Sequence, residues 1–124
     1  MSVYKLKLGD YEFQVTDEGS GPPLLMLHGF PDSARLWRHQ IPALVGAGYR
    51  VIAPDHIGCG LSDKPGPDAY AYRLEDRVSD LEAFIEQVLP GIPITLVVHD
   101  WGGMIGMALA LRHLPQIQRV VITN

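Results

Sequence analysis

The chain has 124 residues, 47% of them hydrophobic, and a formal net charge of −4, which fits one domain over residues 1–124 and excludes a basic surface for nucleic acid. A single cysteine, Cys59, excludes an internal disulfide framework and agrees with a reducing compartment. No apolar run approaches the ~20 residues of a membrane span, and the amino terminus carries no apolar leader, so the expectation is a cytoplasmic protein with no membrane partner.

Tyr4–Leu8 and Tyr11–Val15 alternate around Gly9-Asp10, the pattern of an antiparallel hairpin with one wet face. Asp17–Pro23 reads as a Gly- and Pro-rich loop. Leu24–Leu27 reads as a short buried strand that ends in His28-Gly29-Phe30-Pro31. Asp32 or Ser33 can cap a helix over Ala34–Ala47, whose apolar positions Leu36, Trp37, Ile41, Leu44 and Val45 keep to one face. Pro42 predicts a kink or break inside it, and Gly46 and Gly48 predict its end.

Val51–Ala53 is a second buried strand, closed by Pro54-Asp55-His56 and followed by a long loop, Ile57–Asp68. Tyr72–Leu89 has helical spacing, with Leu74, Val78, Leu81, Phe84, Ile85 and Val88 on one face and Glu75, Asp76, Arg77, Asp80, Glu82 and Glu86 on a solvated one. Ile94–Val98 is a continuous β-branched run, the mark of a buried parallel strand. It stops at His99-Asp100-Trp101-Gly102-Gly103, and a nearly apolar helix to about His113 follows, expected to be buried against a sheet. Arg119–Thr123 is a last apolar strand. The alternation after the hairpin implies an α/β architecture with a mostly parallel twisted sheet of about six strands and flanking helices.

Asp100 falls where a strand turns sharply into a helix, at the carboxyl end of the strand, where open α/β sheets bind their ligands. A carboxylate on such an elbow, beside the positive end of a helix, is a candidate nucleophile. It is equally a candidate helix cap.

Four stretches, in order, resemble the amino-terminal half of an α/β-hydrolase of the aspartate-nucleophile branch, the epoxide hydrolases and haloalkane dehalogenases. They are His28-Gly29-Phe30-Pro31, Trp37-Arg38-His39-Gln40-Ile41-Pro42, the run from Ala53 to Pro65, and Val98-His99-Asp100-Trp101-Gly102-Gly103. The third and fourth also resemble dehalogenase-like enzymes that decarboxylate β-lactones. The resemblance implies that Asp100 attacks an sp³ carbon to form an ester, and that a histidine-activated water hydrolyses it. The backbone N–H groups of Phe30 and Trp101 would hold the oxyanion, with His28 and Gly29 shaping that loop. The Trp101 indole would donate to a leaving group, unless it is plain core packing.

Many dehalogenases, and the β-lactone enzymes, carry Asn at the place of Phe30. Epoxide hydrolases commonly carry Phe, so epoxide opening is the leading expectation, with dehalogenation and β-lactone chemistry as alternatives. The resemblance implies no metal and no cofactor, and a small apolar electrophile as substrate.

Relatives carry the catalytic acid, the histidine and a helical cap in later segments. Of His28, His39, His56, His99 and His113 none matches that histidine. His28 is expected to be structural, His99 to point away, and His39 and His113 to lie at the surface. His56, on a loop at the carboxyl end of a strand, is the one histidine not set aside, although reach to the site is not the leading expectation for it either. Asp55 is expected to be structural, and Tyr70 and Tyr72 to be packing residues. The expectation is therefore a nucleophile half, a fragment or an engineered or ancestral piece, impaired in turnover. With an exposed apolar edge at Val120–Ile122 it is expected to self-associate, as a homodimer first of all. A non-catalytic scaffold that oligomerises is the competing reading.

Overall fold

The computed structural model describes residues 2–123. Six strands form one sheet: β1 (Ser2–Leu8), β2 (Tyr11–Glu18), β3 (Pro23–Leu27), β4 (Arg50–Pro54), β5 (Ile94–His99) and β6 (Ile117–Thr123). Their order across the sheet is β1-β2-β4-β3-β5-β6. The β1–β2 hairpin and the β2–β4 pair are antiparallel, and the β4–β3, β3–β5 and β5–β6 pairs are parallel. The architecture is therefore the expected mostly parallel sheet, open at both edges.

Successive side chains of a strand point to opposite faces, and β3 divides the core in this way. Leu25 and Leu27 face α2 (Leu74–Val88) and α3 (Trp101–Arg112), in a layer with Phe13, Phe84, Leu96, Val98, Ile105 and Leu109. Leu24 and Met26 face the other way, toward Trp37, Ile41, Val51 and Ala53.

Several boundaries depart from the sequence reading, and three of them have a visible cause. β2 runs on to Glu18 instead of ending at Val15, because Val15–Glu18 pair with β4. The helix expected over Ala34–Ala47 is two pieces, a short 3-10 helix (Ala34–Trp37) and α1 (Gln40–Gly46). Pro42 sits in the first turn of α1, where its missing N–H costs nothing, so the break comes before it, at Arg38-His39. α2 begins at Leu74, not Tyr72, whose φ of 59° is not helical. The Asp76 carboxylate accepts the Arg73 N–H at that start.

α3 is not buried all round. Gly102, Ile105, Gly106, Leu109 and Ala110 are packed, but Met104, Met107 and Leu111 are exposed. The sheet and α2 cover one stripe of the helix, and no described element lies over the rest. No helix of the described residues is long and apolar enough to cross a membrane.

Candidate active site

The parallel register sets the carboxyl ends of β3, β4 and β5 side by side. The segments that follow them, His28-Gly29-Phe30, Asp55-His56 and Asp100-Trp101, therefore converge at one edge of the sheet. Asp100 has φ 58° and ψ −124°, a conformation that a non-glycine residue adopts only under strain. The turn puts its carboxylate outside the sheet. Asp100 takes the cap position of α3, but its side chain accepts no capping hydrogen bond from the turn beyond Trp101. Instead the Phe30 backbone N–H donates to Asp100 Oδ2 at 3.2 Å. Donation by the Trp101 and Phe30 N–H groups holds the carboxyl below the usual carboxylate range.

Glycines let these segments close on one another. A Cβ on Gly29 would stand 2.5 Å from Asp100 Cβ and 2.8 Å from Asp100 Oδ2. A Cβ on Gly102 would run into the carbonyls of Leu27 and His28. The first turn of α3 thus lies directly against the end of β3, and the Gly29-Phe30 loop directly against Asp100.

Phe30 and Trp101 are 63% and 47% exposed, so Trp101 is not core packing. Together with Gly29, His56, Cys59, Tyr72, Arg77 and Ile105 they line a half-open, mainly apolar cleft of about 390 Å³. Sequence reasoning placed Arg77 on the solvated face of its helix. It lies four and seven positions before Leu81 and Phe84, which is the spacing of their own face and the signal that was available. Its Nη1 donates to the Ile57 carbonyl at 2.8 Å, and its guanidinium lies 5.3 Å from the centre of the Tyr72 ring. Cys59 was likewise missed as a lining residue. Burial pushes its thiol up.

His28 is fully buried behind the loop. Its Nδ1 is 2.6 Å from the Gly29 carbonyl oxygen, and its Nε2 accepts the His56 backbone N–H at 3.0 Å. His56 is 4% exposed, with Nε2 3.0 Å from the His28 carbonyl oxygen. His99 lies on the opposite face of the sheet, beside Thr123. His39 is exposed, whereas His113, expected at the surface, is half-buried against Glu82. None of these histidines hydrogen-bonds Asp100 among the described residues.

Asp55 accepts the Ala34 N–H on Oδ1 at 2.7 Å and the Leu61 N–H on Oδ2 at 2.9 Å. It ties two loops together through these bonds. The Tyr70 hydroxyl donates to Asp80 and the Tyr72 hydroxyl to the Pro65 carbonyl, so both tyrosines brace the cleft wall.

Known proteins share this sequence and fold. The chain is 49% identical over 108 residues to the cis-3-alkyl-4-alkyloxetan-2-one decarboxylase of Shewanella oneidensis, covering 87% of this chain and 34% of that protein. It is 44% identical over 110 residues to a haloalkane dehalogenase of Mycobacterium marinum, covering 87% of this chain and 36% of that protein. An epoxide hydrolase of Vigna radiata superposes with a TM-score of 0.90 at 36% identity, over 98% of this chain and 39% of that one. The chain thus spans about a third of the length of the curated relatives it matches, from their amino-terminal part. The alpha/beta hydrolase fold family matches residues 22–124, and the chain belongs to that family.

Proposed function

We propose that Asp100 is the nucleophile of an enzyme that acts on small apolar electrophiles through an aspartyl ester. The observation that carries the reading is the placement of its carboxylate. It stands on a strained turn, held by the Phe30 N–H, and its immediate neighbours Gly29, Phe30 and Trp101 line an apolar cleft. With Oδ2 so engaged, attack on the substrate carbon falls to Oδ1. A leaving oxygen or halide takes a hydrogen bond from the Trp101 indole. The two backbone N–H groups are placed to hold an oxyanion on the aspartyl carbon if water attacks there.

Two strained rings fit this nucleophile. Phe30 carries no side-chain amide for a halide, which supports the epoxide. Opening an epoxide leaves an alkoxide that takes a proton from water, and the ester then waits for a base-activated water. Because no described histidine bonds Asp100, we propose that the ester formed from an epoxide accumulates on this chain.

The second reading is a β-lactone, an oxetan-2-one, and the identities favour it. They are 49% and 52% to two oxetanone decarboxylases, against 39% and 36% to two epoxide hydrolases. Attack of Asp100 on the ring C4 breaks the C4–O bond and releases a carboxylate on C3, with no proton needed. Loss of CO₂ then sends the C3–carboxyl electron pair into a C3=C4 double bond and expels the Asp100 carboxylate. The nucleophile is regenerated without water.

Intact-mass measurement after incubation with styrene oxide, and gas chromatography of alkene from a cis-dialkyl β-lactone, test both readings. A stoichiometric adduct absent from Asp100→Ala supports the nucleophile, and catalytic alkene release selects the lactone. No adduct and no alkene from the parent chain leaves the competing reading, a scaffold without catalysis.

That scaffold reading has its own observation. Among the described residues β6 pairs only with β5, and Val121 and Ile122 are 47% and 67% exposed. Beside them, on the face away from Asp100, Leu24, Met26, Trp37, Val97 and Val121 line an open cleft of about 540 Å³. Trp37 Nε1 is buried there without a hydrogen-bond partner among the described residues. We propose that in the 124-residue chain a second copy covers this edge and face.

A further inference from the structure

We infer that His56 is a positioning residue, which acts through His28 to fix the Gly29–Phe30 peptide so that the Phe30 N–H faces Asp100. The inference rests on the reading of Asp100 as nucleophile and deepens it, by naming what holds the oxyanion donor in place.

The backbone settles the hydrogens on both rings. The His56 backbone N–H can only donate, so His28 Nε2, 3.0 Å away, presents its lone pair. A neutral His28 then carries its hydrogen on Nδ1 and donates to the Gly29 carbonyl at 2.6 Å. The His28 carbonyl can only accept, so His56 Nε2 carries the hydrogen of that 3.0 Å bond. The two rings pack with centres 4.3 Å apart. Burial pushes both imidazoles down, His56 to about 3, and Arg77 acts in the same direction on both, while Asp55 and Asp32 oppose it at His28. Both rings are therefore neutral near pH 7, as the bare Nε2 of His28 requires.

The consequence for the site follows from peptide geometry. The carbonyl of Gly29 and the N–H of Phe30 belong to one planar unit and point in opposite directions. Anchoring the carbonyl on His28 Nδ1 from behind aims the N–H at Asp100 Oδ2, where it is found at 3.2 Å. It also polarises the unit, which strengthens the N–H as a donor. The next peptide back is pinned in the same sense, through the His28 carbonyl on His56 Nε2. Two consecutive carbonyls of the oxyanion loop are thus held by two imidazoles from the buried side, and Gly29 lets the loop lie where a Cβ would stand 2.5 Å from Asp100 Cβ.

The test begins with ¹⁵N spectra of the unsubstituted chain. His28 is expected to show a protonated Nδ1 and a bare Nε2, and His56 a protonated Nε2. A His28 protonated on Nε2 overturns the inference. His56→Leu keeps the backbone N–H and removes the Nε2 donor, whereas His56→Gln returns an amide donor near its place. In His56→Leu the Asp100 carboxyl, titrated by ¹³C resonance, is expected to move up toward its ordinary value. Ester formation with styrene oxide is expected to slow roughly ten- to a hundredfold, with His56→Gln recovering most of both.

A folded His56→Leu with unchanged Asp100 titration and unchanged ester rate overturns the inference. Should that variant unfold, His56→Asn, whose shorter amide falls short of the His28 carbonyl, is read in the same way. Absence of ester on every chain, the parent included, would remove the nucleophile reading alone, since the titration and the ¹⁵N pattern still decide the positioning role.

Discussion

The Phe30 backbone N–H donates to Asp100 Oδ2 across 3.2 Å, joining residues 70 positions apart. Gly29 is the condition for that approach, because a methyl at its Cα would stand 2.5 Å from Asp100 Cβ. Gly29→Ala is therefore expected to push the loop off Asp100 at a cost of about 1–3 kcal/mol. The Asp100 carboxyl should titrate higher in this variant, because one of the N–H groups that hold it down is withdrawn. Denaturant unfolding and a ¹³C titration check the two effects separately.

Strain at Asp100 predicts opposed effects on stability and chemistry. Its φ of 58° suits glycine. Asp100→Gly is expected to hold stability or raise it by up to about 1 kcal/mol, after allowing for the greater flexibility of unfolded glycine. The same variant should form no adduct with an epoxide. Urea unfolding together with intact mass measures both, and a clear loss of stability would mean that the turn is not strained.

Much of this site was legible in the chain because its parts are local. The run Ile94–His99 ending in Asp100-Trp101-Gly102-Gly103 fixes a strand, a turn and a helix within a few residues. The two backbone donors follow once the strands are parallel. What stayed hidden depends on partners distant in sequence. His56 meets His28 only because β3 and β4 are neighbours, and nothing local to either motif says which ring nitrogen meets which carbonyl. The extent of β2 depended on β4 in the same way. Arg77 was misplaced for a different reason, since its charge suggested water while its spacing pointed to the face of Leu81 and Phe84. The exposure of Met104, Met107 and Leu111 was also out of reach, because apolar composition shows that a helix can be covered and not what covers it.

Asp55 gives a prediction about stability alone. It is buried, and its two oxygens satisfy the N–H groups of Ala34 and Leu61. Asp55→Ala leaves both donors without an acceptor, at about 1–3 kcal/mol each. The expected result is a chain that is strongly destabilised or unfolded, and circular dichroism with urea titration reads it. Near-parental stability would show that water replaces the carboxylate readily.

The buried imidazoles predict the acid side of the stability profile. The native pKa of His56 lies near 3, below its ordinary 6.5. Between these values the unfolded chain binds a proton that the folded chain refuses, so stability falls as pH falls through that window. The slope is about 1.4 kcal/mol per pH unit for one such group. His28, lowered in the same direction, adds to it. Asp100, held low by its N–H donors, adds a further loss only below the ordinary carboxylate range. His56→Gln should flatten the profile between about pH 6 and pH 4.5, and equal slopes in parent and variant would place the titration elsewhere.

The open edge gives the last prediction. In β6 the outer side of the strand presents unpaired backbone groups, and Val121 and Ile122 are exposed next to the cleft above Leu24 and Met26. Arg119 is the one charged side chain in that strand, which is little protection for an apolar edge. A second copy related by a twofold axis can pair the two β6 strands antiparallel and bury both apolar margins at once, and this arrangement closes. The chain is therefore expected to sediment as a dimer at micromolar concentration and to dissociate on dilution. Ile122→Lys places a charge on each of two facing strands, so it should shift the equilibrium to monomer without unfolding the chain, as read by light scattering and circular dichroism. A parent chain that remains monomeric across the dilution series would show that the β6 edge does not pair.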